Sequence, residues 1–130
     1  MPREGYPAAT VDEYLAAVPA DQGAALRVVR DRLVDAVPDA GQIISYRVPT
    51  ITYRGTGLVA LSVAKAHCSL HLMSPPLARS LAGSLPEGRL SGATLQFGAD
   101  SPLSEETVRR IAGLRMAEVD ARLDAHPGTR

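Results

Sequence analysis

Apolar residues recur along this chain in two rhythms, one helical and one extended. Thr10-Val11-Asp12-Glu13 has the form of a capping box, and it predicts a short helix to about Ala17 that Pro19 stops. Asp21 offers a second N-cap. Leu26, Val29, Leu33 and Val37 then follow at spacings of three and four, one stripe of a helix ending before Pro38. From Ile43 the pattern becomes β-branched and aromatic. Ile43–Val48 and Thr50–Tyr53 read as strands with Pro49 bending the chain between them, and Arg54–Gly57 reads as a turn. Leu58–Ala64 and His67–Met73 read as two more strands joined near Lys65-Ala66, and Pro75-Pro76 ends them. Leu77–Leu81 fits a short helix, 83–88 a loop, and Ala93–Phe97 a last strand. Ser104 caps a closing helix whose buried stripe is Val108, Ile111, Ala112, Met116, Val119 and Leu123. Helices, then hairpin-like strands, then a helix predict an α+β fold. The expected architecture is a single antiparallel sheet with the N-terminal and C-terminal helices on one face. Residues 10–124 form the expected single domain, between flexible ends at 1–9 and 125–130.

Composition narrows the function. The 130 residues hold fourteen basic and fourteen acidic side chains, which argues against a general nucleic-acid binder. One cysteine, Cys68, excludes an internal disulfide and a multi-thiolate zinc site. No secretory signal is visible, and the longest apolar run, Leu58–Ala64, is far short of the roughly 20 residues of a membrane span. The expectation is a cytoplasmic protein that engages neither membrane nor nucleic acid. All the acids lie outside residues 41–86, a stretch that carries Arg47, Arg54, Lys65 and Arg79. The sheet region is therefore locally basic and could suit an anionic ligand or attract a partner protein.

Two clusters carry candidate chemistry. Lys65, His67, Cys68 and His71 are the densest group of reactive side chains. On a strand, His67, Ser69 and His71 would share one face and Cys68, Leu70 and Leu72 the other. His67 and His71 would then stand roughly 13–14 Å apart along the strand, too far for one metal ion. Cys68 reads more plainly as a small buried hydrophobe. The second cluster is Asp31, Asp35 and Asp39, at four-residue spacing on a helix and its exit, an oxygen-rich set able to hold a cation loosely. Arg27, Arg30 and Arg32 are interleaved with it, as on an ordinary solvated charged face. No dinucleotide fingerprint, phosphate loop or nucleophile elbow is present.

Four blocks taken together, Thr10–Leu15, Ile44–Thr50, Lys65-Ala66-His67 and Ala93–Phe97, resemble the YdhG-like bacterial family, a domain of unknown function. That resemblance implies a fold akin to frataxin and the YjbR/CyaY-like proteins. It also implies the function ascribed to some members, that of iron chaperones which bind iron weakly through carboxylates and deliver it to acceptor proteins. On this reading the protein is a non-enzymatic monomer or weak homodimer with no tightly bound cofactor. Asp31, Asp35 and Asp39 become its metal candidates, with Asp12 and Glu13 behind them. The positions matching the family blocks are Ser45, Tyr46, Pro49, Lys65, His67, Thr94, Gln96 and Phe97. Ser45, Tyr46, Lys65, His67 and Gln96 are accordingly the candidates for a ligand or partner on the exposed sheet face. One departure stands out: the family's Lys-Gly before Thr94 is Gly92-Ala93 here, and Arg89 is the basic residue that could compensate.

Overall fold

The computed structural model describes residues 6–125; the outer parts of both expected flexible ends, 1–5 and 126–130, lie outside that range. Inside it, Tyr6 packs edge-on against Tyr14 with ring centroids 6.1 Å apart.

The chain runs α1 (Val11–Ala17), α2 (Ala20–Ala36), β1 (Gly41–Ser45), β2 (Val48–Tyr53), β3 (Thr56–Val63), β4 (Cys68–His71), α3 (Pro75–Leu81), β5 (Arg89–Ser91), β6 (Thr94–Phe97) and α4 (Glu105–Asp124). The six strands make one antiparallel sheet in the order β1-β2-β3-β4-β6-β5. This is the α+β class that the order of periodicities predicts.

Local chemistry fixes most boundaries. Thr10 Oγ1 accepts the Glu13 N–H and caps α1, while the Glu13 carboxylate reaches back to the N–H of Ala9, one residue beyond the usual capping box. Ser74 and Ser104 cap α3 and α4 in the same way. Pro75 and Pro76 occupy the first turn of α3, where their missing N–H groups cost nothing. They therefore begin a helix rather than merely ending a strand. α2 starts at Ala20 behind Pro19 with no side-chain cap; Asp21 lies inside the first turn.

Beyond shifts of a residue or two at strand ends, the strand reading needs two corrections. Pro49 does not separate two strands; it lies buried within β2, opposite Ile44 of edge strand β1. The reversal is at Tyr46-Arg47, with φ of +50° and +69°, the left-handed pattern of a type I′ turn in a pair that has neither Gly nor Asn. The second correction is β5, a three-residue strand in the stretch before Thr94.

Alternation sends Ile51, Val59, Leu61, Cys68, Leu70, Leu95 and Phe97 into one core with Leu26, Val29 and Leu33 of α2, Leu77 and Leu81 of α3, and Val108, Ile111 and Val119 of α4. α1 adds Val11, Tyr14 and Leu15. Polar clamps fasten this helical layer. Gln22 Nε2 donates to the carbonyls of Ala64 (2.9 Å) and His67 (3.0 Å), holding the β3–β4 connection onto α2. Arg115, only 8% exposed, donates to the carbonyls of Leu58 and Gly57 and to Glu118, whose carboxylate also accepts from Ser74.

Candidate functional site

The other face of the sheet is built differently. Direct cross-strand partners share a face, so one row runs Ile43, Thr50, Ala60, His71, Thr94, Ser91 across all six strands. The next row holds Ser62, Ser69, Gln96 and Arg89. Half of these ten positions carry hydroxyls. His71 is the hub: Ser62 Oγ lies 2.7 Å from its Nε2, and Thr94 Oγ1 lies 3.1 Å from its Nδ1. Burial lowers its pKa below the ordinary histidine value, which keeps the ring neutral near pH 7. A neutral imidazole offers one donor and one acceptor, and two rotatable hydroxyls satisfy either tautomer.

Beside this hub is a cavity of about 350 Å³ lined by Ser45, Tyr46, Val48, Thr50, Ala60, His71 and Met73. Its wall is mostly apolar and holds no charged side chain. Four large hydrophobic side chains are exposed among the described residues, and three of them, Ile43, Tyr46 and Met73, belong to this part of the face. Tyr46 is 95% exposed, held out by its left-handed turn, and Met73 also has a positive φ of 58°. Strained, exposed, bulky residues at a cavity rim are a signature of a binding surface.

A larger cleft of about 610 Å³ lies between α3 and the β5–β6 hairpin, lined by Pro75, Ala78, Arg79, Ala82, Gly83, Leu90, Gly92 and Ala93. The basic side chain beside Gly92-Ala93 is therefore Arg79. Arg89 stands opposite Gln96 on β6 and does not line the cleft.

The sequence-derived site residues separate into groups. Ser45 and Tyr46 line the cavity. Gln96 lies on the same sheet face, opposite Ser69. Lys65 and His67 sit in the β3–β4 connection and do not line it; β4 begins one residue later, at Cys68. Phe97 is core, and Thr94 holds His71. Cys68 points into the core, away from the face that carries His71, and burial pushes its thiol up to about 11.

Arginines meet the acidic helix residues. Asp31 pairs with Arg30 at 2.7 Å, Asp12 with the same guanidinium at 2.9 Å, and Asp35 with Arg109 of α4 at 2.7 Å. Asp39 lies past the end of α2, exposed and with a φ of +53°. Among the described residues no three His, Cys, Asp or Glu side chains assemble into a group that could hold a metal ion, so Asp31, Asp35 and Asp39 are not brought together as one. No helix there is long and apolar enough to cross a membrane.

The sequence does not reveal Ser62, Thr50 or Met73 as site residues, because only strand register unites them. No family model matches the chain. No curated protein matches it either. Among solved structures, the fold is similar to that of a DUF1801-family protein, YdhG of Bacillus subtilis, with a TM-score of 0.71 over 85% of this chain and 90% of that one, at 16% sequence identity. The two proteins thus share a fold.

Proposed function

We propose that the chain is a YdhG-like binding module that receives a small, uncharged, largely apolar molecule on the second sheet face. The cavity bounded by Tyr46, Val48, Thr50, Ala60, His71 and Met73 carries this reading. Its apolar wall would gain from burying a hydrocarbon group, and Ser45 and Thr50 give a polar end to orient it. The absence of a charged side chain from the lining favours a neutral ligand over the anion that the local basic balance suggests. The pairing of Asp31 and Asp35 with arginines supports charge balance on the helices more than iron carriage.

The test is a fragment screen read by the ¹³C methyl signal of Met73. Binders should shift that signal, and Ala60→Phe, which fills the cavity, should abolish the shift while the rest of the spectrum keeps its dispersion. Binding that survives Ala60→Phe would sink the proposal. Calorimetry with Fe²⁺ under anaerobic conditions addresses the iron expectation separately. The Asp31/Asp35/Asp39→Asn variant should give the same isotherm as the unaltered protein.

A further inference from the structure

We propose that Ser62, His71 and Thr94 act as nucleophile, general base and positioning residue in the hydrolysis of a small carboxylic ester whose acyl group sits in the cavity beside His71. The acyl seat rests on the binding-site reading above; the chemistry rests on separate geometry, and His71, which lines the cavity while Ser62 and Thr94 do not, joins the two.

The relay follows from register. His71 stands directly opposite Ala60, whose methyl group leaves room for the imidazole to lean toward Ser62, two residues along β3. The resulting Ser62 Oγ to Nε2 distance is 2.7 Å, within the range expected of a nucleophile and its base. On the far side Thr94, directly opposite on β6, lies 3.1 Å from Nδ1. With Nδ1–H donating to Thr94, Nε2 is left to accept the Ser62 proton. The lowered pKa of His71 keeps that nitrogen unprotonated at neutral pH.

A second observation points to a ligand. Ser69, opposite Ser62 in register, is only 5% exposed, and its hydroxyl makes no side-chain hydrogen bond among the described residues. The Gln96 amide, opposite Ser69 on β6, makes none either. Backbone N–H groups within a sheet are committed to the ladder. These two side chains, in the row of Ser62 and outside the cavity lining, are the donors we assign to the oxyanion.

The chemistry balances with water as co-reactant. Ser62 Oγ bonds to the ester carbonyl carbon as its proton passes to His71 Nε2. The tetrahedral adduct collapses, the bond to the alkoxide breaks, and the imidazolium protonates the departing alcohol. Water then adds to acyl-Ser62 through the same base and releases the carboxylic acid, restoring the serine. Thr94 supplies a hydroxyl where serine hydrolases place a carboxylate, so it orients the ring without stabilising the imidazolium by charge, and turnover should be slow.

The full chain is treated with a fluorophosphonate and, separately, with p-nitrophenyl butyrate. Intact mass and peptide mapping should show one adduct, on Ser62, absent in Ser62→Ala. His71→Gln should slow labelling by about 10²-fold or more, the range of general-base assistance. Thr94→Val should lower kcat with KM held, and Thr94→Ser should restore it, which a purely structural role would not require. An unlabelled Ser62 in the folded unaltered protein would overturn the relay whatever the variants do, as would equal labelling in a folded His71→Gln. Butyramide, which is not cleaved, is titrated in parallel against the Met73 methyl signal. A shift without a Ser62 adduct overturns the chemistry and leaves the cavity reading standing. An adduct without a shift overturns the acyl seat.

Discussion

His71 lies half-buried between two hydroxyls, with its pKa held down by burial. The unfolded chain, titrating near the ordinary value of about 6.5, takes up a proton before the folded protein does. Stability therefore falls as pH drops below that value and levels once the folded imidazole is also charged. His71→Gln should flatten the decline in melting temperature between pH 7.5 and 5; an undiminished decline would assign it to other groups. The sequence already separates Cys68 from His71, because alternation along a strand is strict, and the structure keeps them on opposite faces. It cannot pair His71 with Ser62 or Thr94, since nothing in one strand states which residue of the next lies opposite. Lys65 and His67 are grouped with His71 by proximity in the chain; Lys65 lies in the connection already expected near it, and His67 joins it there because β4 starts one residue later than the apolar pattern suggests.

At the scale of elements, the legible features are those whose chemistry is local. Thr10 and Ser104 cap helices as the sequence predicts, and Pro38 follows the end of α2. The turn at Tyr46-Arg47 is illegible because it uses the left-handed backbone without the residues that favour it. Replacing Tyr46-Arg47 by Asn-Gly should stabilise the protein by about 1 kcal/mol in urea unfolding, since both residues adopt that backbone at lower cost. The same change should weaken ligand binding at the cavity, whose rim includes Tyr46. Unchanged stability would show that the turn carries no strain. A second close fit joins α1 to α2 at Gly23, where an added Cβ would come 2.6 Å from the Leu15 carbonyl oxygen. Backbone cannot step aside as a side chain can. Gly23→Ala should therefore cost about 1–3 kcal/mol, the usual penalty of overpacking, measurable by the same unfolding experiment.

Over the whole molecule, the α+β class and the buried stripe of α4 are readable because they depend on periodicity summed along many residues. The polar ties between layers are not. Glu118 and Asp120 lie mostly outside the apolar stripe, where periodicity assigns them no partner, yet Glu118 joins Arg115 to Ser74, and Asp120 accepts from Tyr53 and Arg54. Gln22 likewise sits in a helix as an unremarkable polar residue while its amide holds two carbonyls of the β3–β4 connection. The sole thiol of the chain is sealed beneath that clamp, with Cys68 Sγ 3.8 Å from the Gln22 carbonyl oxygen. Reagents such as dithionitrobenzoate should meet it only when α2 lifts from the sheet. Native labelling at pH 8 should then run at least about 10³-fold slower than in urea, following the equilibrium between closed and open forms. Labelling at a comparable rate in both would mean that this layer opens freely. Cys68 thus gives the molecule a built-in chemical clock: its modification rate times the excursions of one helix without any probe being engineered in.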